Sequence, residues 1–135
     1  MRPAENDIAN RLPVWVALSE LYLDTELLAR DLDHLAETLA ASPYTIDELT
    51  RILLAEVHPA CVTNLLVVAG VWSGFDPCWL RQRILRRRRA RFRWPARLLP
   101  FRKRALASAA SLFNRVASLR ERNAVGGSTS DAIRI

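Results

Sequence analysis

Apolar positions recur along this chain at helical rather than strand intervals. Val14, Leu18, Leu21 and Tyr22 fall on one face of a helix with Trp15 beside them, and Pro13 reads as its first-turn proline. The polar residues 1 to 10 are expected to be loose. Leu28, Leu32, Leu35 and Leu39 follow at intervals of 4, 3 and 4 behind Asp24 as a cap and Glu26 in the first turn, and Ser42 and Pro43 end that helix. A third helix carries the clearest local signature: Thr45 as cap, Glu48 three residues on to complete a capping box, and Tyr44 placed to staple against Leu49. Ile46, Leu49, Ile52 and Leu53 form its buried face, and Pro59 is expected to stop it near His58.

From Ala60 to about Val71 the pattern is apolar nearly all round, with Val62, Leu65, Leu66, Val67, Val68 and Ala69, which predicts a central helix. Gly70 and Gly74 loosen its end. Asp76 and Pro77 then read as cap and first-turn proline of a fifth helix through Trp79, Leu80 and Ile84, which runs on into a series of arginines. Beyond Pro95 and Pro100, a last helix carries Phe101, Ala105, Leu112, Val116 and Leu119 on one stripe, with Leu106 and Phe113 beside it. Gly126 and Gly127 finish it, and residues 124–135 are expected to form a flexible end. Periodicity alone leaves open whether the stripe packs on its own domain, a second copy or a membrane.

The expected fold is therefore all-α: a compact five-helix domain over residues 1–85, an Arg-rich arm or junction over 86–104, and an amphipathic helix over 105–123. Composition agrees, since half of the 135 residues are hydrophobic and only 4 are glycine. Two cysteines, Cys61 and Cys78, are too few for a disulfide framework. Glu5 and Asp7 sit where the apolar run of a signal peptide would begin, so a reduced, cytoplasmic compartment is the expectation.

Charge changes the picture more than composition does. Residues 1–80 hold 4 Lys and Arg against 12 Asp and Glu, a balance of −8, whereas residues 81–135 hold 16 against 2, a balance of +14; the whole-chain value of +6 hides this split. From Arg81 to Arg104 there are 12 positive charges and no negative one, with Phe92, Trp94 and Phe101 interleaved. Arginine forks match phosphate geometry and aromatic rings stack on unpaired bases, so the candidate polyanion-binding residues are Arg81, Arg83, Arg86, Arg87, Arg88, Arg89, Arg91, Arg93, Trp94, Arg97, Arg102, Lys103 and Arg104. The same stretch suits an anionic membrane surface, with Trp94 and Leu98 at the interface. It equally suits the acidic faces of residues 1–80, within one chain or between two. Arg83 and Arg87, Arg87 and Arg91, and Arg89 and Arg93 are like-charged pairs one turn apart, so residues 86–94 are expected to become fully helical only when an anion or the acidic domain neutralises them.

Catalytic and metal motifs are fragmentary. His58 and Cys61 lie three apart with Glu56 and Cys78 nearby, one short pair where a structural zinc site favours two, so both cysteines are read as small core hydrophobes and His58 as a loop residue before a proline. Asp24, Glu26, Asp31, Asp33 and Glu37 read as the solvated face of a leucine-striped helix rather than as acid–base machinery. Val57 to Phe75 is an uncharged run of 19, interrupted by Pro59, Asn64, Ser73 and Gly74, which reads as a core helix rather than a membrane span.

The blocks RLPVWVALSELYLDTEL, SPYTIDELTRILLAEVHPAC and NLLVVAGVWSGFDPCWLRQRI, in that order over residues 11–85, resemble a family of small uncharacterised bacterial proteins, a domain of unknown function. The resemblance implies a compact domain and carries no activity, ligand or site residue with it. The arm after residue 85 lies outside it.

Taken together, the expectation is a non-enzymatic binding or interaction protein with no cofactor, no metal and no evident small-molecule substrate. Its partners are expected to be nucleic acid or an anionic membrane surface through residues 81–104, or a protein through the acidic face of residues 1–80. The alternatives are a nucleic-acid-binding accessory protein and an acidic-surface inhibitor of a protein partner.

Overall fold

The computed structural model describes residues 1–22, 29–62, 75–89 and 101–133. Every regular element among them is helical: α1 (Ile8–Ser19), α2 (Ala29–Ala40), α3 (Ile46–Ile52), α4 (His58–Cys61), α5 (Pro77–Arg89) and α6 (Arg102–Ile133), with 3₁₀ turns at Ala4–Asn6 and Glu20–Tyr22. The Asp24 cap with Glu26 and Leu28, the apolar run from residue 63 to 74, and residues 90–100 lie outside the described residues.

Helix α1 is the hub, touching α2, α5 and the turn that follows α3, while α6 packs along α2. Trp15, Leu18, Leu39, Leu49, Ile52, Leu53, Leu80, Ile84 and Leu112 are fully buried in one continuous cluster. Burying such a side chain stabilises the fold by about 1.5–3 kcal/mol. The stripe on α6 belongs to this same core: Ala105, Ala109, Leu112, Phe113 and Val116 are buried, so its own domain covers it.

Three boundaries differ from the sequence expectation. Residues 1–10 are not loose. Ala4 is buried in a 3₁₀ turn, and α1 begins at Ile8, which puts Pro13 inside the helix rather than in its first turn. The proline is tolerated because it and Ala9, whose carbonyl loses a partner, both face solvent.

Pro59 does not end the third helix. Between α3 and α4 the backbone widens into a π-turn, Leu53–Val57, in which the His58 N–H bonds back to the Leu53 carbonyl. The wider turn carries the chain past the proline, whose ring would otherwise collide with the carbonyl four residues before it. His58 is accordingly a buried helical residue, not a loop residue.

Gly126 and Gly127 do not end α6, which runs to Ile133 through the segment expected to be a flexible end. A Cβ placed on Gly126 would meet nothing within 4 Å, so this glycine serves neither a close approach nor a turn. Each glycine costs a helix only about 1 kcal/mol relative to alanine, too little to stop it. At the other end Phe101 leaves the apolar stripe. It has φ 63°, is 37% exposed, and accepts the Ala105 N–H at 2.9 Å on its carbonyl, so it opens the helix instead of packing with it.

Two start signals hold as read. Thr45 Oγ1 accepts the Glu48 N–H at 3.1 Å and Glu48 Oε1 accepts the Thr45 N–H at 3.2 Å, while Tyr44 and Leu49 are both buried. Asp76 Oδ2 accepts the Trp79 N–H at 2.9 Å, capping α5, and α5 continues to Arg89. Residues 86–89 of the like-charged run are thus helical. Among the described residues, no helix is long and apolar enough to cross a membrane.

Candidate functional site

Helix α5 turns Leu80, Ile84 and Leu85 into the core, because they follow the helical period behind the Asp76 cap. The opposite side is left to Cys78, Trp79, Arg81, Gln82, Arg83 and Arg86, all exposed. Cys78, Arg81, Gln82, Leu85 and Arg86 line a shallow groove of about 470 Å³. Beside it Trp79 is 41% exposed and stacks on Phe75, with ring centroids 5.6 Å apart and planes at 16°. The Arg83 guanidinium lies 6.0 Å from the Trp79 ring centroid. Arg102, Lys103 and Arg104 are exposed on the first turn of α6, and the Arg104 guanidinium sits 5.9 Å from the Phe101 ring centroid.

Of the other candidate residues, Arg87 is half-buried and already engaged, while Arg88 and Arg89 lie in α5 with side chains outside the described residues. Arg91, Arg93, Trp94 and Arg97 also fall outside them. Among the described residues, none of Arg81, Arg83, Arg86, Arg102, Lys103 and Arg104 is paired with a carboxylate. Ion pairs among the described residues include Met1 amino to Glu48 at 3.9 Å, Arg11 to Asp7 and Glu56 at 3.1 Å each, and Arg115 to Asp33. Polar contacts between the acidic and basic halves include two made by arginines of α6. Arg115 takes Asp33, which had been read as simply solvated, and Arg120 donates to the carbonyls of Leu39 (3.1 Å), Ser42 (3.2 Å) and Ala40 (3.4 Å). Arg120 thereby caps the end of α2 from another helix.

A second concentration of charge lies in the core. Arg11, 2% exposed, uses all five of its N–H donors within the protein. Nε and Nη2 grip Glu56 at 3.1 and 3.3 Å, Nη1 donates to Asp7 at 3.1 Å and to the Tyr44 hydroxyl at 3.2 Å, and Nη2 also reaches the Arg2 carbonyl at 3.0 Å. Trp15 Nε1 donates to Glu56 at 2.9 Å, and the Tyr44 hydroxyl donates to Asp7. Burial works against the Arg11 charge, but the hydrogen bonds it donates to Glu56 and Tyr44 outweigh it and hold the guanidinium above its ordinary range. The Tyr44 hydroxyl, then Asn10, hold the Asp7 carboxyl below its ordinary range. Among the described residues, no buried side-chain nitrogen or oxygen lacks a hydrogen-bond partner. This is a satisfied network that ties the N-terminal turn and α1 to the π-turn, with no donor left over for a ligand.

The would-be metal set is dispersed. Glu56 is spent on Arg11 and Trp15, His58 Nδ1 shares a 2.7 Å hydrogen bond with the Tyr22 hydroxyl, and burial pushes the Cys61 thiol up to about 12. Cys78 is exposed rather than a core hydrophobe. Among the described residues, no three His, Cys, Asp or Glu side chains converge as metal ligands would. One further cleft, about 340 Å³ between α1 and α2, is lined mainly by Leu12, Pro13, Val16 and Leu35, with Glu20 and His34 supplying its charge-bearing groups. Burial, and then Asp31, raise the Glu20 carboxyl.

The exposure of Trp79 and its backing by Phe75 are features that sequence reasoning missed, since it places Trp79 with Leu80 and Ile84 along the fifth helix and singles out no exposed ring there. The signal was available, because Trp79 lies one position, about 100° of helix, off the Leu80–Ile84 stripe.

No curated protein and no solved structure matches the chain. One family model does, over residues 9–122. It spans residues 81–104 and most of α6, well past the limit at residue 85 set by the three sequence blocks. The chain belongs to this family, a domain of unknown function (DUF7079).

Proposed function

We propose that this protein works by binding rather than by catalysis, and that the exposed basic side of α5, with the first turn of α6, holds the phosphate backbone of a nucleic acid. One observation carries the reading. Arg81, Arg83 and Arg86 stand exposed and, among the described residues, without a carboxylate partner, while Asp33 is taken by Arg115 and the end of α2 by Arg120. Intramolecular neutralisation, the competing use for these arginines, is thereby weakened. Backbone contacts of this kind position a nucleic acid without reading its sequence, and they release counterions.

The test is fluorescence anisotropy of the full chain with labelled oligonucleotides across a salt series. Affinity should fall steeply with salt and vary little with sequence. The triple variant R81A/R83A/R86A should bind more weakly and reduce the slope of log K against log salt by roughly 2–3. Binding that ignores the triple variant, or no binding at low salt, would refute the proposal.

A further inference from the structure

We infer that Trp79 is a base-stacking platform, and that the nucleic acid taken by this surface is single-stranded; the inference rests on the binding function proposed above and narrows it to a substrate class. An indole 41% exposed near the start of a helix whose exposed side is basic leaves a large part of an apolar ring in water. Its position is nonetheless fixed. Its backbone N–H is held by the Asp76 cap at 2.9 Å, and its ring lies nearly parallel to Phe75 at 5.6 Å. The Arg83 guanidinium lies over the ring, 6.0 Å from its centroid, and adds a cation to the same surface, with the Arg81–Arg86 groove on the same helix.

A pre-set ring flanked by phosphate-binding forks meets the two needs of an unpaired strand, a π-surface for the base and cations for the backbone. A duplex offers no free base face to such a ring. A lipid surface would call for an apolar stripe facing outward, whereas Leu80 and Ile84 point into the core and Trp79 stands among Arg81, Gln82, Arg83 and Arg86.

The experiment measures the full-length protein against three probes: a uridine-rich RNA oligonucleotide, a duplex of equal length, and phosphatidylserine-containing vesicles. Trp79→Ala should weaken single-strand binding roughly 5- to 150-fold, the range of one lost base–aromatic stack, and leave duplex binding unchanged. Trp79→Phe should retain most of the affinity, and far-ultraviolet circular dichroism of both variants should match the wild type because the ring is on the surface. Equal losses on strand and duplex, or no loss on either, would overturn the stacking role. Tighter binding to vesicles than to RNA would overturn it too. If Trp79→Ala is silent while R81A/R83A/R86A abolishes binding, stacking fails and the backbone-binding proposal stands. If both variants are silent, both fail.

Discussion

Removing Arg11 should cost more stability than removing any surface arginine of this arginine-rich chain. The side chain is 2% exposed and its main partner, Glu56, 4% exposed, with two hydrogen bonds between them and a third to Glu56 from Trp15. Arg11→Met keeps the aliphatic stem but leaves a buried carboxylate with only the Trp15 N–H. Breaking a buried pair from one side typically costs about 3–5 kcal/mol, because the remaining charge is stranded away from water. For a chain of this length that is roughly 10–20 °C in Tm, taken from about 2 cal/mol/K of unfolding entropy per residue. Glu56→Gln should also destabilise, yet the double variant R11M/E56Q should lose less than the sum of the singles, since no charge is then stranded. Urea unfolding followed by far-ultraviolet circular dichroism measures all four proteins. Single variants within about 1 kcal/mol of wild type, or strictly additive losses, would mean that water reaches Glu56 and solvates it.

Tyr44 and Arg120 give two further outcomes. Tyr44→Phe removes the hydroxyl that donates to Asp7 and accepts from Arg11, and should cost about 1–3 kcal/mol at neutral pH. Asp7 is lowered below its ordinary 3.8, so its contribution is present above that value and lost as pH falls through the lower folded-state value. Without Tyr44 the denaturation midpoint should therefore fall less steeply on acidification, and an unchanged acid limb would dissociate Asp7 from Tyr44. Arg120→Ala should release the carbonyls of Leu39, Ala40 and Ser42 and cost about 1–3 kcal/mol, with faster amide hydrogen exchange at the end of α2 and none of that change in α3. Lysine at 120 should rescue little, because one ammonium cannot reproduce the fork.

Local chemistry was legible wherever it was also decisive. The Thr45–Glu48 box and the Asp76 cap were readable because each is a bond between residues three apart. Pro59 and Gly126 misled for a shared reason: a propensity of one to a few kcal/mol yields to tertiary packing or, at Pro59, to a wider turn.

The Arg11–Glu56 pair left a trace in the pattern. Arg11 is four before Trp15 and seven before Leu18, and Glu56 is four after Ile52 and seven after Leu49, so opposite charges interrupt two apolar stripes. Their pairing across 45 positions is a matter of topology, which periodicity does not encode. The exposed arginines of the candidate site were readable from charge alone. That Arg81, Arg83 and Arg86 have no carboxylate partner among the described residues was not, because it depends on where the fold places the acidic side chains.

The π-turn at Leu53–Val57 also makes this helix keep count of its residues. A π-turn is an α-helix holding one residue more than its hydrogen-bond ladder needs, so deleting any one of the five would let the ladder close regularly. Everything after it would then turn by about 100° and retreat about 1.5 Å. His58 would swing away from Tyr22, and the Pro59 ring would meet the carbonyl that the wide turn had moved aside. The segment is thus as intolerant of a change in length as a surface loop is tolerant of one, and related chains that keep this proline should keep the extra residue with it.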